Sequence, residues 1–189
     1  MRSTRLALAL ALALAVAIAG CGSAASATAA STTTTPTTPP LSRNTHITLY
    51  SINSDGPRFQ AIVTGAVGDH GQAVSVYPDG RVDPQHDSDL SLRLTRGSFL
   101  LNGAALDKRV VTALRHWRGN PATCSGSATV TAAAPIVAGS GIGAYRGISG
   151  SFTLTATVDE IDAKAGCTAT GTFIAQVIVI TGTGTVRTG

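Results

Sequence analysis

Side chains that could ligate a metal or move protons are concentrated in one short stretch of the sequence. Its imidazoles and carboxylates are Asp69, His70, Asp83, His86, Asp87 and Asp89. Such groups are the usual acids, bases and metal ligands of proteins. The spacing matches no calcium loop, and the run after Pro84 has the composition of a polar turn. We expect ordinary surface polarity without a metal; a pocket shared by His70 and His86 would favour the alternative, a weak cation site.

A second group of carboxylates follows an alternating apolar pattern near the C-terminus. Asp159, Glu160 and Asp162 are close neighbours, and Glu160 is the only glutamate of the chain. Neighbouring carboxylates can act as an acid and base pair. Strand ends are usually solvated, so we expect these side chains to face water.

Familiar enzyme and nucleotide motifs are missing or lack their context. The chain has no Gly-x-Ser-x-Gly, His-Glu-x-x-His or Cys-x-x-Cys, the signatures of common catalytic sites. Residues 139–144 read Gly-x-Gly-x-x-Ala, but Gly147 and Gly150 follow where a phosphate site needs a helix. We therefore expect no catalytic residue, no cofactor and no nucleotide, and interpret the glycines as turns and bulges of bending strands.

The N-terminus has the three parts of an export signal. Arg2 and Arg5 precede an uncharged run, Leu6–Ile18, which is shorter than the roughly 20 residues of a spanning helix. The tetrapeptide ending at Cys21, Ile-Ala-Gly-Cys, resembles a bacterial lipobox. This resemblance implies cleavage after residue 20, lipid on Cys21, and an extracytoplasmic lipoprotein anchored to the cell membrane. An ordinary secretory signal with an incidental cysteine is the alternative.

Two cysteines are left once Cys21 is assigned to lipid. In an oxidising compartment Cys124 and Cys167 allow a single pairing. Buried free thiols are the alternative, and zinc would need further ligands at short spacing. We expect a Cys124–Cys167 disulfide.

Composition separates a tether from a folded domain. Residues 21–43 are mostly Ser, Ala, Thr and Pro after Cys21, so we expect a disordered tether. The chain has 14 basic and 10 acidic side chains, and Arg2 and Arg5 leave with the signal. The remaining basic residues are scattered, which argues against a nucleic-acid partner.

Period-two alternation dominates residues 44–189 and predicts strands. Phe173–Ile180 is apolar at successive positions, so we expect packing against both of its faces. About eight short antiparallel strands favour a single closed β-barrel over an open sandwich. The predicted strands are Ile47–Ile52, Phe59–Thr64, Ala73–Tyr77, Asp89–Thr95, Ser127–Thr131, Ser151–Val158, Phe173–Ile180 and Gly184–Arg187.

One segment has helical spacing instead. Between Ala105 and Trp117 the apolar residues Leu106, Val110 and Leu114 recur every three to four positions. We expect one short amphipathic helix against the sheet or at the barrel end.

Two glycine-rich segments carry a resemblance to a known family. Gly68-Asp69-His70-Gly71-Gln72 resembles a strand turn of the allene oxide cyclase barrel. Gly139-Ser140-Gly141, followed by Tyr145, Gly147 and Gly150, resembles a strand pair of allene oxide cyclases and dirigent proteins. Secreted actinobacterial proteins share this signature and the ending at Thr181–Val186. The resemblance implies an eight-stranded barrel with an apolar interior, in which these glycines form turns.

The chain departs from the cyclases in two respects. Gly68 and Gly139 lie 71 residues apart, farther than in plant cyclases, and none of the catalytic residues of those enzymes has a counterpart here. Cyclase activity is therefore not implied. The expected role is binding of a small apolar ligand or an envelope partner; a barrel enzyme acting on an apolar substrate and a purely structural envelope protein are the alternatives.

Overall fold

The domain is a single antiparallel sheet of nine strands with one helix. A computed structural model describes residues 43–52, 58–83, 89–116, 119–163, 167 and 173–188. The sheet order is β6-β8-β9-β1-β2-β3-β4-β5-β7. The elements are β1 Arg43–Ile52, β2 Arg58–Gly65, β3 Asp69–Val76, β4 Asp89–Leu94, β5 Gly97–Asn102, α1 Ala104–Arg115, β6 Ser125–Pro135, β7 Ile142–Gly143, β8 Ser149–Asp162 and β9 Phe173–Arg187.

The expectation of a mainly β domain with one helix is confirmed, whereas the closed barrel is not. The ladder ends at β6 on one side and at the two-residue strand β7 on the other. One bridge, Leu101 to Ile136, joins β5 to the residue after β6. The Val137 N–H donates to the Leu100 carbonyl at 2.9 Å beside it. The described sheet is therefore curled but not closed by a continuous ladder.

Alternation along the long strands builds the core. Phe152, Leu154, Ala156 and Val158 of β8 are buried, while the intervening threonines are exposed or half-buried. The largest fully buried side chains across the sheet include Phe99, Leu49, Leu92, Leu101 and Ile47.

The interior around the middle of β9 is tightly filled. A Cβ at Gly182 would collide with the side chains of Leu154 and Ile47, and one at Gly184 would collide with Phe152. Native interiors leave few voids larger than a water molecule. These glycines therefore mark positions where β9 lies directly against core side chains.

Packing on both faces of the Phe173–Ile180 stretch is not found among the described residues. Ile180 is buried and Ile178 packs against the core, but Val177 on the opposite face is 36% exposed. Of the described elements, none lies over that outer face.

The helix matches its prediction closely. It spans Ala104–Arg115 and buries Leu106, while Val110 packs at the edge of the core. Arg109 Nη1 donates to the Thr131 carbonyl of β6 at 2.7 Å. Trp117 lies outside the described residues. Within the part of the chain that is described, no helix has the length and apolar character needed to cross a bilayer.

Cys124 and Cys167 form a disulfide-capable pair, as predicted. Their Cα atoms lie 4.8 Å apart across a sequence separation of 43 residues. Cys124 is buried directly before β6, and its carbonyl accepts from the Asp162 N–H at 2.8 Å. The pair ties the start of β6 to the connection between β8 and β9.

We predict that the bonded pair contributes about 4 kcal/mol to the free energy of unfolding through closure of this loop. Urea unfolding should give a lower midpoint for the wild type with reductant than without it. A Cys124→Ser/Cys167→Ser variant should have that lower midpoint in both conditions. Alkylation of both thiols in the native protein without reductant would contradict the disulfide.

Candidate functional site

Asp69 is the first residue of β3 and is held by glycines on both sides. Gly68 has a φ of +54°, a left-handed conformation that glycine adopts without strain. A Cβ at Gly71 would collide with the Arg93 carbonyl of β4. The two glycines allow the turn and the close strand approach that direct the Asp69 carboxylate inward.

The Asp69 carboxylate accepts hydrogen bonds from several donors, and its side chain is only 2% exposed. Thr95 Oγ1 donates at 2.5 Å and the His70 N–H at 2.8 Å to Oδ1. The Arg96 N–H at 3.2 Å and the Tyr145 hydroxyl donate to Oδ2. Arg96 Nε lies 3.4 Å from the same oxygen. Both carboxylate oxygens are therefore satisfied.

These contacts determine the charge state of the cluster. Burial alone would raise the pKa of Asp69, but hydrogen bonds from Thr95, Tyr145, His70 and Arg96 together hold that pKa well below its ordinary value. Burial and the nearby Asp69 charge raise the pKa of Tyr145 to about 12. Asp69 is thus ionised and Tyr145 neutral near pH 7. The Tyr145 hydroxyl therefore donates to an ionised carboxylate and joins the segment after β7 to the start of β3.

Arg96 and Phe99 complete the surroundings of Tyr145. The Arg96 guanidinium lies 5.9 Å from the Tyr145 ring centroid and also donates to the carbonyls of Val67 and Gly68. The Phe99 ring meets the Tyr145 ring edge-on at 5.4 Å.

The two glycine-rich motifs of the sequence thus meet in space. Gly139 and Gly147 have φ values of +74° and +78°, and Gly150 has +136°. A Cβ at Gly141 would collide with the Tyr145 carbonyl. This folded segment delivers the Tyr145 hydroxyl to Asp69, 76 residues away in sequence.

The predicted polar stretch divides into residues with different surroundings. The expectation of ordinary surface polarity is wrong for Asp69 and Asp83, which are buried, whereas His70 is exposed. Burial raises the pKa of Asp89. His86 and Asp87 lie outside the described residues, so whether His70 and His86 share a pocket is not tested. Over the described ranges, no three His, Cys, Asp or Glu side chains converge on a common metal position.

The carboxylates at the end of β8 differ from expectation. Asp159 is exposed, as predicted, but Glu160 is 6% and Asp162 1% exposed. Because side chains alternate along a strand, Glu160 and Asp162 continue the inward row that contains Val158. The expectation of a solvated strand end is therefore wrong for this pair.

Glu160 and Asp162 have few hydrogen-bond partners. Gln176 Nε2, directly opposite in β9, donates to Glu160 Oε2. Among the described residues, no backbone N–H or hydroxyl group donates to either side-chain oxygen of Asp162. Burial raises the pKa of Glu160; the Gln176 amide opposes this rise, while Asp162 adds to it. The pair is suited to hold a proton or a cation.

Sequence reasoning missed Thr95, Arg96 and Gln176. Thr95 and Arg96 lie in the β4–β5 turn, and nothing local in the sequence links them to Asp69. Gln176 had a detectable signal, because it is in phase with the inward-facing Ile178 and Ile180. A polar residue in phase with an apolar row predicts a buried polar group.

Comparisons with family models, curated proteins and solved structures found no match to this chain.

We predict that Asp69→Asn lowers the free energy of unfolding by about 2–4 kcal/mol, because several donors lose a buried charged acceptor. Chemical unfolding at pH 7 measures the change. Asp79→Asn is the matched control, since Asp79 is exposed and contacts only the neighbouring Arg81 among described residues. An equal loss of unfolding free energy in both variants would contradict a stabilising role for the Asp69 hydrogen bonds.

The hydrogen bonds to Asp69 also predict how the free energy of unfolding depends on pH. The pKa of Asp69 is lower in the folded state than in the unfolded state, where it is about 3.9. Its stabilising contribution is therefore complete above that value and is lost as the pH falls below it. The stability difference between wild type and Asp69→Asn should stay constant from pH 7 to about pH 5 and should narrow as the pH falls below about 4. A constant difference would show that Asp69 does not act through its charge.

Proposed function

We propose that this protein is an extracytoplasmic lipoprotein, anchored through lipid on Cys21, whose domain binds an envelope partner rather than acting as an enzyme. The observation that carries the proposal is an exposed apolar surface at one end of the sheet. Its residues, named the distal patch, are Tyr50, Ile52, Ile161 and Val177, which are 42%, 59%, 44% and 36% exposed.

Strand register makes the patch continuous. Ile52 of β1 lies directly opposite Val177 of β9, and Tyr50 lies opposite Val179. Ile161 of β8 lies opposite Ala175, on the same outer face. Single exposed apolar residues are common, but a group of large ones on neighbouring strands indicates an interaction surface.

The filled interior supports a partner over a small apolar ligand. Core side chains press directly against Gly182 and Gly184. One depression among the described residues, of about 480 Å³ and lined by Tyr50, Ile52, Gln60 and Gln72, is partly open to solvent rather than enclosed. A pocket for a drug-sized apolar molecule needs an enclosed volume of several hundred Å³.

The direction of β1 places the patch away from the attachment of the tether. The chain reaches the sheet at Arg43, and Ile52 is at the opposite end of the same strand. Across its 10 residues a strand rises by roughly 30 Å. The distal patch therefore lies at the end of β1 opposite to Arg43, where the described sheet begins.

The proposal includes closure of the sheet as a barrel of the allene oxide cyclase type. The Leu101–Ile136 bridge and the hydrogen bond from Val137 to Leu100 support it, because they bring β5 to the end of β6. The contact between Asp69 and Tyr145 also supports it, because both residues belong to motifs that resemble that family.

A barrel enzyme acting on an apolar substrate is the second candidate. The buried carboxyls of Glu160 and Asp162, with the raised pKa of Glu160, are the observation in its favour. Native mass spectrometry of the purified protein, with organic extraction, separates the two candidates. A co-purifying apolar molecule would favour the enzyme or ligand-binding role over the partner-binding role.

We predict that a photo-crosslinking amino acid at Ile52 or Val177, tested in cells, yields a discrete higher-mass adduct. The same amino acid at Ile142, which is 65% exposed on β7, is the matched control and should yield none. Absence of adducts from the patch, or equal adducts from all three positions, would contradict partner binding there.

We predict that the wild type fractionates with membranes and that Cys21→Ser does not, because lipid attachment requires the thiol. Ser26→Ala is the control, since it changes a nearby tether residue and should leave the protein with the membranes. Stable anchoring needs more than one acyl chain, so the modified peptide should carry at least two by mass spectrometry. Membrane association of Cys21→Ser would contradict the lipoprotein assignment.

A further inference from the structure

The C-terminal end of β8 carries two buried carboxyl groups. Among the described residues, no basic side chain forms an ion pair with them. Glu160 and Asp162 are consecutive inward residues and are 6% and 1% exposed. The ion pairs formed by described residues join Arg81 to Asp79 and Arg96 to Asp69. Neither pair contacts this end of β8. Burial of an uncompensated carboxylate is costly, so such groups normally acquire a proton, a basic partner or a metal.

The Asp162 side chain is the clearest indication that this end of β8 binds a ligand. Both of its carboxyl oxygens are fully buried, and no described N–H or hydroxyl donates to them. The Glu160 carboxyl is within hydrogen-bonding reach of the Asp162 carboxyl. The Asp162 backbone N–H donates to the Cys124 carbonyl at 2.8 Å, so the backbone of residue 162 lies next to the disulfide-capable pair. The register between β8 and β9 also shifts at Ile161 and Asp162, where Asp162 pairs with Phe173. Bulges of this kind re-aim side chains and are frequent beside functional sites.

We propose that Glu160 and Asp162 bind a calcium-type divalent cation at this end of the sheet. The two Asp162 oxygens and Glu160 Oε1 supply hard oxygen ligands, which Ca²⁺ prefers, and Ca²⁺ accepts carboxylates with one or two oxygens. Gln176 donates to Glu160 Oε2 and so acts as a positioning residue. Neither thiolate nor imidazole is present in this donor set, which disfavours zinc and copper.

The affinity follows from the small number of ligands. Two carboxylates cannot satisfy the six to eight oxygens of a calcium ion, so water and backbone carbonyls would complete the shell. Extracellular calcium modules bind with dissociation constants of about 10⁻⁴–10⁻³ M, and we expect this range here. The proposal is independent of partner binding at the distal patch, because a cation can occupy this end whether or not a partner covers the outer face.

The test uses the mature full-length chain, freed of metal with a chelator and then titrated with CaCl₂. Calorimetry should give a saturable binding isotherm in the millimolar to submillimolar range. Thermal unfolding should show a midpoint raised by about 3–5 °C in 10 mM CaCl₂ relative to NaCl of equal ionic strength. Asp162→Asn and Glu160→Gln should each lose the isotherm and the shift.

Asp159→Asn is the matched control. It removes the same charge from the neighbouring residue, whose side chain is exposed, and should keep both the isotherm and the shift. Asp162→Asn should also melt no lower than the wild type in chelator, because it removes an unpartnered buried charge; this establishes that the variant folds. No calcium response in the wild type, or an undiminished response in both Asp162→Asn and Glu160→Gln, would overturn the proposal.

Discussion

The pairing of β8 with β9 and of β9 with β1 is the constraint on which the rest of the structure depends. The partners run in register from Ser149 opposite Arg187 to Ile161 opposite Ala175, and β1 continues the pairing from Arg43 to Ile52. A slip of one residue would exchange every inward side chain for an outward one. The register therefore places Leu49, Phe152 and Leu154 in the core and leaves most of the threonines outside. On the outer face, the hydroxyls of Thr131 and Thr155 bond across strands at 2.9 Å.

The same register explains which features could be predicted from the sequence. Leu154 and Leu92 carry period-two signals and Leu106 a helical one, so the strands, the helix and the core were accessible to local reasoning. Glu160 shows the limit of that reasoning. Its phase with Val158 indicated the interior, whereas its charge and its place at a strand end suggested water; backbone geometry decided the outcome.

Contacts between distant segments could not be predicted in this way. Tyr145 meets Asp69 only because β7 returns to the β5 edge while β3 lies two strands farther along the sheet. Strands β5, Gly97–Asn102, and β7, Ile142–Gly143, were not predicted, and β7 is too short for any periodicity. The predicted strands Phe173–Ile180 and Gly184–Arg187 are parts of a single strand, β9. The disulfide-capable pair was predictable for a different reason: if the chain is exported and Cys21 carries lipid, the two remaining cysteines allow a single pairing.

The two groups of buried carboxylates differ in how many hydrogen-bond donors they have. Asp69 accepts from Thr95, Tyr145 and backbone donors, so nothing further is required there. Glu160 and Asp162 lie near the other end of the long strands with far fewer donors. Stability is therefore concentrated in the first group and unsatisfied binding capacity in the second.

The central position of β1 adds a mechanical consequence. Force applied through the chain that precedes Arg43 acts along the axis of a strand paired on both sides, including 10 residue pairs with β9. Such a load would shear many hydrogen bonds at once instead of breaking them one at a time, so β1 would resist being pulled out of the sheet along its own axis.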